Sequence, residues 1–202
     1  MNRLFSLIIS SILIVGLAGC ATSQPKQLDD VCKLFRLHPK WYKATKATEN
    51  KWGAPIAVQM AIIHQESRFK ANAKPPRTRL LGFIPWKRPS TAYGYTQALD
   101  ITWNNYIQCT GNYGASRKNF TDASDFIGWY VNTATKKLCI SPNNTYALYL
   151  AYHEGMGGYA RGTYLQKPAL QEVARKVAAR ERRYALQLEC CEGQLPKSHW
   201  WN

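Results

Sequence analysis

Acidic residues are scarce in this chain: 12 Asp and Glu stand against 27 Lys and Arg, a formal net charge of +15 over 202 residues. Such an excess predicts a polyanionic surrounding. Nucleic acid, anionic lipid and an acidic wall polymer all answer that description, so charge alone does not choose. No Cys-x-x-Cys and no spaced Cys/His cluster is present, which leaves no expected zinc site and no expected metal or other cofactor. There is no Gly-rich phosphate loop, no Ser/His/Asp order worth defending and no nucleic-acid motif. Alternation of apolar and polar residues, the mark of strands, is weak throughout, and no internal repeat or low-complexity tract occurs. The most apolar stretch, Leu4 to Leu17, falls short of the roughly 20 residues that a membrane-crossing helix needs.

What that stretch does match is a secretory signal, with a basic start over Met1 to Arg3 and an apolar middle. It closes on Leu17-Ala18-Gly19-Cys20, which resembles the lipobox of bacterial lipoproteins. The resemblance implies a signal peptide over residues 1–19, cleavage before Cys20, and lipid chains on Cys20 that anchor the protein to a membrane. Residue Ala21 is not Asp, which by the sorting rule of such lipoproteins implies the periplasmic side of the outer membrane. The other reading is an ordinary signal peptide with an incidental Cys. Export also removes nucleic acid from the expected partners; protein partners stay unassigned.

Residues 20–28 are polar, carry one Pro and read as a lipidated tether. Residues 29–202 read as a single domain, with seven Trp, twelve Tyr and six Phe among the aromatics of the chain. Helices are expected over 29–35, 39–52, 121–135, 143–152 and about 168–190, with another before Tyr106. The glycines after Glu154 are expected to end the fourth of these. A further helix opens at Pro55, a residue well tolerated at a first helical position. Ile56, Met60 and Ile63 make one buried stripe on it, and Glu66 continues that stripe at the last turn. A carboxylate there is unusual unless it is paired or functional.

Three short pieces stand out in order: Gln65-Glu66-Ser67-Arg68-Phe69, Ala92-Tyr93-Gly94-Tyr95-Thr96-Gln97, and Leu150-Ala151-Tyr152-His153-Glu154-Gly155. Together they resemble the lysozyme-like lytic transglycosylase (SLT domain) family, over roughly residues 54–164. The family pattern is a helix ending in Glu-Ser, then Gly-x-x-Gln, then Ala-Tyr-Asn before a glycine-rich turn. The resemblance implies a mainly α, single lysozyme-like (goose-type) helical domain, to which the last helix is an addition. It implies peptidoglycan glycan strands as substrate and cleavage between N-acetylmuramic acid and N-acetylglucosamine with formation of 1,6-anhydro ends. Glu66 would be catalytic, Ser67 would hold substrate or the carboxylate, and Tyr93 and Gln97 would bind the sugar. The hydroxyl of Tyr152 would sit beside the carboxylate.

The chemistry suits these residues. Breaking a glycosidic bond needs a proton on the leaving oxygen. A carboxyl at the end of an apolar helix is partly desolvated, which raises its pKa and keeps the proton near neutral pH. Two features depart from the family. His153 stands where the family has an Asn that orients a substrate amide, followed by Glu154. Both are expected to meet the substrate; the plainer reading has His153 capping the helix and Glu154 solvated. That second carboxylate opens the alternative of a hydrolytic muramidase, in which Glu154 activates water. The other departure is the long segment from Lys70 to Pro89, which mixes Lys74, Arg77, Arg79, Lys87 and Arg88 with Leu80, Leu81, Phe83, Ile84 and Trp86. Basic and aromatic residues together can line a glycan groove, since sugars stack on aromatic faces and wall peptides are acidic. They can equally touch a membrane or a partner protein, and the plainer reading is a packed structural loop. A third alternative is a non-catalytic lipoprotein that uses the same groove as a wall anchor.

An exported chain meets an oxidising compartment, so Cys32, Cys109, Cys139, Cys190 and Cys191 are disulfide candidates. The expected pairs are Cys109–Cys139, at the ends of two neighbouring antiparallel helices, and Cys32 with Cys190 or Cys191. The latter would pin the C-terminal helix over the N-terminal one and leave one of the adjacent cysteines unpaired.

Overall fold

The structure is a computed structural model that describes residues 24–25, 27–80, 84–85 and 88–195. The expected signal peptide and Cys20 lie outside these residues, as do Leu81, Phe83, Trp86 and Lys87 of the basic segment.

The architecture is helical. α1 (Val31–Leu37) starts at Asp30, whose carboxylate accepts from Lys33 N at 2.9 Å. α2 (Pro39–Trp52) has Pro at its first position and ends at Gly53. α3 (Ile56–Ser67) is buried on every side from Ile56 to His64. The expected stripe of Ile56, Met60 and Ile63 is therefore only part of its buried surface, and α3 is the central helix of the molecule. Two very short strands, β1 (Arg79–Leu80) and β2 (Ile84–Pro85), pair antiparallel in the basic segment. α4 (Asp100–Thr110) and α5 (Phe120–Leu138) follow, the latter capped by Asn119, which accepts from Thr121 N at 2.8 Å.

α6 (Thr145–Ala160) differs from expectation. It does not stop at the glycines: it breaks at Gly155 (φ 73°, ψ 156°) and resumes. Glycine takes the left-handed φ without steric penalty, so the break turns the chain at one residue while the helix continues beyond it. A 3-10 turn (Thr163–Gln166) leads to α7 (Pro168–Cys191). This last helix packs on both α3 and α6, so it is a wall of the core as well as an addition to it.

A buried polar knot fixes α2, α3 and α5 against one another. Gln59 donates to Thr45 O (3.0 Å) and Ala54 O (2.7 Å), and its Oε1 meets Ser124 Oγ at 2.7 Å. Every polar atom of the fully buried Gln59 amide is thus partnered. At Gly128 of α5 a Cβ would lie 2.3 Å from Thr48 Cγ2, which shows how closely α5 approaches α2. The knot sets the axis of α3 and, through it, the position of Glu66 at the far end.

The cysteines partly correct the expected pairing. Cys32 is bridged to Cys191, with Cα atoms 6.2 Å apart, and Cys190 is a free, exposed thiol. Cys109 and Cys139 are not bridged; both are free and exposed. The reason lies in how α4 meets α5. Tyr106 Oη donates to Asp125 Oδ2 at 2.8 Å, and the rings of Trp103 and Tyr106 pack on Phe126. The end of α4 therefore lies by the first half of α5. Cys139 stands past the other end of α5, roughly 20 Å of helix beyond Asp125. Antiparallel neighbours bring the end of one helix to the start of the next, which keeps these two thiols apart.

Candidate active site

Glu66 lies in the last turn of α3, which closes at Arg68 in the left-handed conformation (φ 51°). It forms one wall of a cleft of about 320 Å³ with Gln97, Tyr130, Tyr152, His153 and Glu154. Three of the sequence-predicted pieces thus meet at one place. Glu66 keeps some open surface toward the cleft and is otherwise enclosed by protein. Burial pushes its pKa from 4.5 up to about 7, against a downward pull from a hydrogen bond with the Tyr149 hydroxyl. Desolvation penalises the charged form, so the carboxyl holds its proton near neutrality.

Tyr149 was not anticipated. The sequence pointed to Tyr152 as the tyrosine beside the carboxylate. Tyr152 is close enough for Glu66 to oppose its ionisation, but its hydroxyl donates to Thr96 O at 2.7 Å. The hydrogen bond to Glu66 comes from Tyr149, one turn earlier on α6. The signal was available in the spacing, because residues three apart share a helix face. Tyr152 instead ties α6 to the Gly94–Gln97 turn and packs edge-on against Tyr130, ring centroids 4.9 Å apart.

That turn is held from several sides. Gly94 has φ +76°, and a Cβ on it would fall 2.1 Å from Arg117 O. The close approach that requires glycine is thus with the protein's own backbone. Gln97 lines the cleft while its amide nitrogen donates to Ala73 O (2.9 Å) and Gly94 O (2.8 Å). With both amide protons so engaged, the amide oxygen is what Gln97 has to offer a ligand.

The structure places Ser67 and Tyr93 outside the cleft. The Ser67 hydroxyl is buried and donates back to Ile63 O at 3.2 Å within its own helix. It does not line the cleft, because a residue next to Glu66 on a helix points about 100° away from it. Tyr93 lines a separate, basic hollow on the other part of the same turn.

Glu154 is in the cleft wall, but its carboxylate is committed. Lys167 Nζ lies 2.9 and 2.8 Å from its two oxygens, Thr163 Oγ1 donates to it, and His153 Nδ1 is 3.2 Å away. Lys167 first, then Thr163, draws its pKa down to about 2. The group fastens the broken end of α6 to the start of α7. His153 is half-exposed at the rim. A larger groove of about 830 Å³ adjoins the cleft through the shared residues Thr102, Tyr130 and Gly155 and runs between α4 and α5 past Asn105, Gln108 and Trp129. Among the described residues no group of His, Cys, Asp and Glu has the arrangement of a metal site.

A family model described as the transglycosylase SLT domain matches residues 8–191. No curated protein and no solved structure matches the chain.

Proposed function

The chain belongs to the transglycosylase SLT domain family, and we propose that it cuts peptidoglycan glycan strands as a lytic transglycosylase with Glu66 as acid and then base. The observation that carries this reading is that, among the described residues, Glu66 is a largely enclosed carboxyl of the cleft with no cationic partner, its pKa raised by burial to about 7. Protonated near neutrality, it donates to the glycosidic oxygen as the bond from C1 of N-acetylmuramic acid to N-acetylglucosamine breaks. The carboxylate then takes the proton of the same sugar's 6-hydroxyl, whose oxygen closes on C1. The 1,6-anhydro end forms, the proton returns to Glu66, and no water is consumed.

One carboxyl suffices for that sequence. Inverting hydrolysis needs a second carboxylate to activate water. Glu154, bound to Lys167 and held at a pKa of about 2, is a poor base. Mass spectrometry of digested sacculi tests the reading. Muropeptides lighter by one water than their reducing counterparts are expected; reducing ends alone would assign a hydrolytic muramidase, and intact sacculi would favour a wall anchor without activity.

For residues 1–19 and Cys20 we infer a cleaved signal and a lipid anchor, supported by the apolar run that ends in Leu-Ala-Gly-Cys. The outer membrane is the proposed location because Ala21 follows the cysteine. Lipid chains contribute roughly 0.8 kcal/mol per buried methylene, so Cys20→Ser should move the protein into the soluble fraction. If that variant still sediments with membranes through salt washes, the anchor reading is wrong.

A further inference from the structure

The segment 91–100 is shared between two hollows. Gln97, Ala98 and Leu99 line the Glu66 cleft, whereas Thr91, Ala92, Tyr93 and Asp100 face a second depression of about 380 Å³. The Tyr93–Ala98 bridge joins the two sides. Ala73 links them again: its carbonyl receives the Gln97 amide from the cleft side, and the next residue, Lys74, lines the second hollow. A ligand that fills the cleft is therefore within a few residues' breadth of this depression.

Its chemistry is cationic. Arg117 is fixed and neutralised: Nη2 pairs with Asp100 Oδ1 at 2.6 Å, and Nη1 donates to Thr91 O and Ala98 O. Arg88 donates to the carbonyl of Pro75. Lys74 lies over the Tyr93 ring, 4.9 Å from its centroid, with Arg117 at 5.4 Å. Among the described residues neither Lys74 nor Arg88 is paired with a carboxylate. The hydroxyls of Ser90 and Thr91 accept from backbone N–H groups of Ala92 and Asp100, so their own protons remain to donate. Two unpaired cations and two hydroxyl donors around an aromatic floor make a site for carboxylates on an extended chain.

We propose that this depression binds the carboxylates of the acidic stem peptide borne by the glycan strand in the cleft, and so directs the enzyme toward peptide-bearing wall. The proposal rests on the glycan-cutting reading above. It makes Lys74 and Arg88 specificity determinants that act outside the chemistry at Glu66.

The test compares two substrates for the full chain: peptide-bearing glycan oligomers, and the same oligomers stripped of peptide by an amidase. Lys74→Ala/Arg88→Ala should lower kcat/KM on the peptide-bearing substrate by roughly fivefold to tenfold, through KM, and leave the stripped substrate unchanged. Lys74→Arg should keep wild-type behaviour, and amidating the stem carboxylates should reproduce the loss with the wild-type protein. An equal fall on both substrates, or no fall on either, overturns the proposal while leaving the glycan-cutting reading standing. If the wild type cuts neither substrate, that reading fails instead, and calorimetric binding of the free acidic peptide decides the site. Binding lost in the double variant supports it; binding that is absent or unchanged overturns it.

Discussion

Glu66→Gln should abolish wall lysis and leave the protein folded. General acid–base groups contribute roughly 10²- to 10⁴-fold to such reactions, and here one carboxyl serves both steps, so the loss should lie toward the upper end. Glutamine keeps nearly the same volume and removes the transferable proton. The native environment already favours the neutral form, since burial raises the Glu66 pKa to about 7. Protonation couples to stability in a definite direction. Below about pH 4.5 the group is neutral in both folded and unfolded chains and has no effect. Between 4.5 and 7 the unfolded chain ionises first, so the unfolded state binds fewer protons and stability falls as pH rises. Above 7 the penalty is complete, on the order of 3 kcal/mol. Glu66→Gln is free of it, so the variant should melt higher than wild type at pH 8 and alike at pH 4. Wild-type activity should decline as pH rises past about 7, where the acid loses its proton. Lysis by the variant within about a hundredfold of wild type would falsify the assignment.

Local pattern in the sequence carried the helices with clear punctuation. Pro39 and Gly53 bound α2, and Pro168 opens α7 where expected. It carried the three pieces of the cleft because each is contiguous. What it did not carry depends on partners far along the chain. Gln59 and His64 look like the polar side of an amphipathic helix, yet both are buried. The Gln59 partners Thr45 and Ser124 come from two other helices, so no window around α3 reveals them. Glu154 looks like a second catalytic carboxylate until Lys167, beyond the Gly155 break, is placed against it. The roles of Ser67 and Tyr93 rest on the family resemblance alone, and a contiguous motif does not say which way each side chain faces: the Ser67 hydroxyl turns back to Ile63 O and Tyr93 lines the other hollow. The Tyr149 role, in contrast, is legible in its spacing of three from Tyr152, which puts both tyrosines on one face of α6.

The second large effect is expected at Cys32. Cys32→Ser should lower the melting temperature by roughly 10–20 °C while activity at 25 °C persists. The bridge to Cys191 closes a loop with a sequence separation of 159, for which the chain-entropy model gives about 5 kcal/mol of stabilisation. A domain of this size loses roughly 2–4 °C per kcal/mol. Most of that effect acts on the unfolded chain, because the native contact between α1 and α7 has other ties. Val31 N donates to Gln187 Oε1 at 2.9 Å, Gln187 Nε2 donates to Asp29 O at 3.0 Å, and Tyr184 Oη donates to Leu28 O. These hold α1 in place below the new transition, and the cleft on the other end of α3 keeps its geometry. Cys32 is the position to change, since removing Cys191 leaves the adjacent free thiol of Cys190 able to take over the bridge. Calorimetry on wild type with and without reductant should give the same interval as the mutation. Cys190→Ser should leave the transition where it is. A shift under about 3 °C for Cys32→Ser, or an equal shift for Cys190→Ser, would show that the Cys32–Cys191 bridge does not hold the two ends of the domain together.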